Sequence, residues 1–284
     1  MKETRSRKET AAPLIKWAGG KRQLLDEIIK RMPEEFNDYY EPFIGGGAVF
    51  FSICDDITKP RRIYINDSNE ELINLYRQAR DNSKGLMDFL DVLQAVYNNA
   101  DDKREAYYRT REEFNRCKGD SSQGLVRAGL LVFLNKSGFN GLYRVNKSGR
   151  YNVPWGQKDA LKLYDSENVK KVAEALKRST VTCGDFADAC KDAKAGDFVF
   201  FDSPYYDTFD TYQAGGFNEE DHRRLAELYT ILSRRGVFCM MTNSATSFIR
   251  ELYDGYKIEE VEVRRMINRN ANGRTGREFI ITNY

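Results

Sequence analysis

A single histidine, His222, occurs in a chain of 284 residues. That scarcity argues against Ser/His or Cys/His nucleophilic chemistry, which needs an imidazole beside the nucleophile. The five cysteines, Cys54, Cys117, Cys183, Cys190 and Cys239, include no Cys-x-x-Cys pair. A structural zinc site is therefore not expected, and free thiols in a reducing cytoplasm are the simpler reading. No apolar run approaches the length of a membrane span. The first ten residues, MKETRSRKET, are charged and lack an apolar signal core, so they read as a flexible tail on a cytoplasmic protein. No Gly-x-Gly-x-x-Gly occurs, which disfavours a nucleotide-cofactor oxidoreductase. There is no internal repeat and no low-complexity block.

A net charge of +2 decides little, but its distribution says more. Arg127 to Lys158 contains six Lys/Arg and no acid, and Arg264 to Arg277 contains five arginines and no acid. Such stretches suit a phosphate backbone, and they also suit plain solvated faces. Of the five arginines, Arg264, Arg265, Arg269, Arg274 and Arg277, phosphate contact is the preferred reading.

Apolar periodicity sketches an α/β protein. YYEPF (39–43) and RRIYIN (61–66) read as strands, each followed by a helix. Residues 84–135 change to helix-like spacing, and 135–156, rich in Gly, Asn, aromatics and base, reads as an ordered loop or hairpin. STVTCGDF, DFVFFD and GVFCMMTN resume the strand pattern, with Asn218 placed to cap a helix whose first turn is acidic. KIEEVEVRR and REFIITNY are expected as edge strands. His222 is expected on the surface of a first helical turn. The tyrosines of REAYYRTREEF (104–114) are expected in the core or lining a groove.

Two places carry chemistry. Glu41-Pro42-Phe43-Ile44-Gly45-Gly46-Gly47 follows a strand and precedes a helix, and its glycines let backbone approach a ligand. Asp67 ends the next strand, where an acid can accept from ribose hydroxyls or simply cap a helix. The second place is Asp202-Ser203-Pro204-Tyr205, just past a buried apolar strand. An adenine amino nitrogen is a poor nucleophile because its lone pair is delocalised into the ring. The Asp202 carboxylate and the Ser203 carbonyl can accept its two protons, and Pro204 biases Ser203 towards an extended conformation. Tyr205 offers a face for an extruded base.

In order along the chain, Pro13-Leu14-Ile15-Lys16-Trp17-Ala18-Gly19-Gly20-Lys21, the glycine turn, Asn66-Asp67, FLNKSGFNGLYRVNKSGRYNVPWG (133–156) and DSPY resemble the motifs of the Dam-type DNA adenine methyltransferases. The resemblance runs from about residue 13 to the C-terminus. It implies a Rossmann-like S-adenosyl-L-methionine-dependent α/β catalytic domain (11–69 and 166–284). A mostly helical target-recognition domain (70–165), carrying a β-hairpin loop, would interrupt it. Trp17, Lys21, Glu41, Phe43, Gly45, Gly47, Asp67 and Asp202 fall where the family binds the cofactor, and no metal is implied. Lys16, Phe139, Asn140, Leu142, Arg144 and Pro154 fall at its DNA contacts, with Phe139 and Asn140 filling the space near a flipped adenine. Arg144 matches an arginine that reads guanine, which implies a GATC target in double-stranded DNA. A monomer is expected, and an associated restriction system fits the family. The rivals are transfer to RNA or to a protein glutamine, and a catalytically silent DNA-binding relative. Two departures stand out: Ser203 where the family usually has proline, and Phe139 where Dam usually has tyrosine.

Overall fold

The computed structural model describes residues 10–57, 61–206, 217–264 and 275–284. The expected tail, apart from Thr10, lies outside the described residues, as do Arg265, Arg269 and Arg274.

Among the described residues seven strands, β1 (Tyr39–Glu41), β2 (Ile63–Asp67), β3 (Ser179–Cys183), β4 (Phe198–Phe201), β5 (Phe238–Ser244), β6 (Lys257–Arg264) and β7 (Thr275–Thr282), form one sheet. Their order is β3-β2-β1-β4-β5-β7-β6. The first five run parallel, and β7 runs antiparallel to both of its neighbours. The chain is thus α/β, as its pattern predicts. One expectation needs correction: β6 is an edge strand, but β7 is interior. The reason is visible in the side chains. Phe279, Ile280 and Ile281 are all buried, as a strand covered on both faces requires, whereas β6 is rich in charge, with Lys257, Glu259, Glu260, Glu262 and Arg264.

Strand alternation divides the interior into two cores. Tyr39, Ile63, Ile65, Phe198, Phe200, Met240 and Ile280 face one core. It is shared with helices α1 (Leu25–Arg31), α2 (Ala48–Ile53), α3 (Glu70–Asp81) and α7 (Ser166–Lys177). Tyr40, Val199, Phe201, Cys239, Met241 and Ile281 face the other. Helices α8 (Phe186–Ala189), α9 (Glu219–Arg234) and α10 (Ser247–Leu252) cover it. Helix α9 starts where its sequence marks it: Asn218 accepts from the N–H groups of Glu220 and Asp221, and Asp221 closes a capping box.

After α3 come α4 (Ser83–Asn99), α5 (Lys103–Cys117) and α6 (Gly124–Ser137). Helix α6 is apolar nearly all round and is accordingly buried among α3, α4 and α5. A Cβ on Gly129 would lie 2.3 Å from the Phe89 ring, so glycine is what lets α4 approach this closely. Arg127, the first cation of the basic stretch, is buried and ion-paired with Glu71 of α3 at 2.6 Å. It belongs to the core rather than to a phosphate-facing surface. Helix α3 packs against β2 and β3 as well as α6, so the helical block and the sheet share one apolar core.

The strand order also places a switch point. From β1 the chain builds outward through β2 and β3, then crosses back to lay β4 on the other side of β1. The segments leaving the carboxyl ends of β1 and β4 diverge there, which is where open α/β sheets bind ligands.

Candidate active site

The glycine turn leaves β1 at this switch point. Gly45 and Gly47 take left-handed conformations, with φ of 47° and 74°. A Cβ on Gly45 would sit 3.1 Å from the Trp17 ring, and one on Gly46 would sit 3.2 Å from the Trp17 Cβ. Bare backbone is therefore what lets Trp17 lie against the turn. Asp67 Oδ2 accepts the Gly45 N–H at 3.0 Å, and Oδ1 accepts the Asn69 N–H at 2.9 Å. Asp67 thus fastens the turn to the start of α3, where Asn69 is the capping residue. Burial pushes the Asp67 pKa up, against the pull of the backbone N–H groups. Gly184, whose N–H donates to the Asp67 carbonyl, has no neighbour within 4 Å of where a Cβ would lie among the described residues. Phe43 lies on the other face of the sheet, stacked on Phe186 with centroids 5.2 Å apart and edge-on to Phe217.

DSPY leaves β4 beside it. Lys21 Nζ is 2.6 Å from Asp202 Oδ1, and the Thr242 hydroxyl donates to the same oxygen at 2.9 Å. Lys21 is only 5% exposed, donates to the Gly19 carbonyl at 2.6 Å, and lies 4.5 Å from the Tyr205 ring centroid. Burial pushes the Asp202 carboxyl up, and the Lys21 ammonium and Thr242 hydroxyl pull it back. Ser203 is buried, and its hydroxyl accepts from Asn243 Nδ2 at 3.4 Å. Asn243 Oδ1 accepts the Tyr206 N–H at 3.0 Å, so one β5 amide holds both ends of the Ser203–Tyr206 turn. Tyr205 donates its hydroxyl to Glu278 Oε2 at 2.6 Å. Under the turn, buried Glu41 accepts from the Tyr39 hydroxyl at 2.7 Å, and burial holds its pKa well above the usual carboxylate range.

The other predicted residues form a second cluster. Segment 138–156 doubles back on itself through bridges Gly138–Trp155 and Val145–Tyr151. The Phe139 N–H donates to the Pro154 carbonyl at 2.9 Å, which places those two residues side by side. Phe139 is 50% exposed, and Asn140 takes a left-handed φ of 55° at the tip. Arg144 donates from Nε to Asn152 Oδ1 at 2.7 Å and from Nη2 to the Asn152 carbonyl at 3.1 Å. The segment is pinned to α5: the Tyr107 hydroxyl donates to the Val153 carbonyl, and Asn115 exchanges hydrogen bonds with the Tyr151 backbone. Tyr107 is buried, in keeping with its expected core placement.

Residues 15–17 join the clusters. Asn135 accepts the Lys16 N–H at 2.9 Å and donates to the carbonyls of Lys16 and Gly141, both at 2.8 Å. The Lys16 side chain lies across Gly141, where a Cβ would come within 2.8 Å of Lys16 Cδ. Leu142 is half-buried next to Tyr143, whose ring stacks on Trp17 at 5.2 Å.

Several of these partners escape a sequence reading. Thr242, Asn243 and Glu278 arrive from neighbouring strands, and Asn135 and Asn152 look like ordinary polar residues. Asp185 and Phe186 had a signal, since GDF follows a strand at its carboxyl end. His222 is the clear correction. It lies in the first turn of α9 but is 2% exposed, boxed in by Tyr206, Phe217 and Phe248. The aromatic rings after β4 and on α10 need a flat partner there, and imidazole supplies it.

Residues 17–267 match the family model for D12 class N6 adenine-specific DNA methyltransferases. The Type II methyltransferase M.MjaIII of Methanocaldococcus jannaschii is 37% identical, covering 96% of this chain and 99% of that one. The Type II methyltransferase M1.LlaDCHI of Lactococcus lactis subsp. cremoris is 38% identical, covering 96% and 95%. The DNA adenine methylase of Escherichia coli K12 is 32% identical, covering 92% and 90%. The chain belongs to the D12 class of N6 adenine-specific DNA methyltransferases, and S-adenosylmethionine is its methyl donor.

Proposed function

We propose that the chain methylates adenine N6 in duplex DNA by extruding the base to the switch point, with Asp202, Ser203, Pro204 and Tyr205 as the catalytic turn. The observation that carries this reading is the convergence of Lys21 and Thr242 on one oxygen of Asp202. Among the described residues Oδ2 is left to accept from the adenine amino group. The β4–β5 ladder ends at Phe201–Met241, so the Ser203 carbonyl lies beyond it and can take the second amino proton. With both protons held, the nitrogen lone pair is turned towards the incoming methyl. S-adenosylmethionine supplies an electrophilic methyl on a sulfonium, a good leaving group.

The residues present fit that donor. Trp17, Lys21, Glu41, Gly45, Gly47 and Asp67 surround the glycine turn, and the opening at Gly184 leaves room between Asp67 and Asp185. Phe43, stacked on Phe186, is read as adding an apolar edge to the nucleoside site. Asp202 brings a carboxyl group towards a cationic ligand, and buried Glu41 accepts the Tyr39 hydroxyl beneath the glycine turn. Rate gain comes from positioning and fixed dipoles, since the acceptors are aimed before the substrate arrives. The nitrogen becomes acidic once it is alkylated, so its proton can leave to water and Asp202 need not act as a general base.

Segment 70–165 is read as the target-recognition unit. Phe139 and Asn140 enter the duplex at the vacated position. Lys16, Leu142, Arg144 and Pro154 contact neighbouring bases, with Arg144 on a guanine of GATC. The relatives named Type II methyltransferases favour a modification partner to a restriction nuclease.

Radiolabelled methyl transfer to duplexes with and without GATC tests the target. Transfer confined to GATC duplexes supports it, and equal transfer to both rules it out. Arg144→Ala should relax choice at one base pair by about 1–3 kcal/mol of discrimination. Unchanged selectivity would remove Arg144 from the readout.

A further inference from the structure

Glu278 lies outside every motif noted in the sequence. It stands on β7, opposite Ser244 of β5, in the register Ser244–Glu278. Its carboxylate nevertheless crosses to the catalytic turn and accepts the Tyr205 hydroxyl at 2.6 Å. The same ring has the Lys21 ammonium 4.5 Å from its centroid, and that ammonium is tied to Asp202. The Tyr205 ring is therefore held at its tip by one charged group and along its face by another. A tyrosine ring anchored only at Cβ can swing through its side-chain torsions; a charge-assisted hydrogen bond at the hydroxyl removes that freedom. A carboxylate accepting from a phenol also enriches the ring in electron density. That matters where a stacked adenine gains positive charge as its amino nitrogen acquires a fourth bond.

We propose that Glu278 is a positioning residue for methyl transfer, acting through Tyr205 to fix the ring against which the target adenine stacks. The proposal rests on the reading that Tyr205 is the stacking face. Glu278 touches neither donor nor base. Part of its effect is realised only in the transition state, where the adenine carries more positive charge than in the bound substrate.

The test uses the full chain, duplex DNA and S-adenosylmethionine, comparing Glu278→Leu, Glu278→Gln, Tyr205→Phe and the Tyr205→Phe/Glu278→Leu pair. Glu278→Leu should lower kcat about tenfold, the worth of one charge-assisted hydrogen bond, with KM for duplex and donor little changed. Glu278→Gln keeps an acceptor and should recover most of that loss. Tyr205→Phe, which also removes the hydroxyl's contact with Thr242, should lose at least as much as Glu278→Leu, and the double variant should lose nothing beyond Tyr205→Phe. Fluorescence of 2-aminopurine at the target position, quenched by stacking, should rise in both single variants. Tyr205→Phe leaves β7 untouched, so full activity in that variant would overturn the proposal even where Glu278→Leu folds poorly. An active wild type with an equally active Glu278→Leu, or losses that multiply in the double variant, would overturn the proposal alone. A wild type inactive on adenine duplexes would overturn the reading of the site together with it.

Discussion

Lys21 and Thr242 both donate to Asp202 Oδ1, and Asn243 holds Ser203 and Tyr206 from the next strand. Ser203 replaces the proline usual in the resembling family and so loses a fixed φ. The Asn243 amide supplies a restraint in its place, because it grips the serine hydroxyl and the backbone two residues beyond Pro204. His222 shows a different kind of dependence. Burial among three rings pushes its pKa down to about 4, against the opposing pull of Asp221 and Glu219. The unfolded chain therefore binds a proton at His222 below about pH 6.5, while the folded chain does not until about pH 4. This residue's contribution to stability is lost as pH falls through that window. His222→Phe removes the titration, so the melting temperature of wild type should fall relative to the variant between pH 6.5 and 4, as followed by circular dichroism. A difference that stays constant with pH would show that His222 does not titrate as its burial dictates.

The N-terminal segment and the 138–156 segment depend on one side chain. Asn135 engages both backbone groups of Lys16 and the Gly141 carbonyl, while Trp17 stacks on Tyr143 a residue away. Removing that amide strands three polar backbone groups. Asn135→Ala should cost about 1–3 kcal/mol in denaturant unfolding and should blunt discrimination between target and non-target duplexes. Unchanged stability and selectivity would contradict the clamp. Elements of this kind mark the limit of what the sequence discloses. The glycine turn and DSPY are legible because their chemistry is local: a turn needs glycine where it is written, and an apolar strand announces its own end. Asn135, Asn152, Thr242 and Glu278 are silent because they act across strands or between units, where spacing along the chain says nothing. The same distinction explains the two missed placements. The interior position of β7 depends on which strands flank it, and the burial of His222 depends on rings contributed by other segments.

At the scale of the molecule, the sheet gathers the glycine turn and the catalytic turn at one switch point, while the helical block carries the second cluster on a shared core. The seam between them runs through residues 15–17 and Asn135, so the two clusters proposed for base recognition and methyl transfer are built on one continuous packing unit. On the proposed reading, a DNA duplex with one base extruded is long enough to touch both clusters. The measurement that bears most directly on this account is transfer of labelled methyl from S-adenosylmethionine to duplex DNA, followed by nucleoside analysis, for wild type and Asp202→Ala. The account predicts N6-methyladenine from wild type, and a loss of product from Asp202→Ala while duplex binding persists. Undiminished transfer by Asp202→Ala, or label on any other atom, would contradict it.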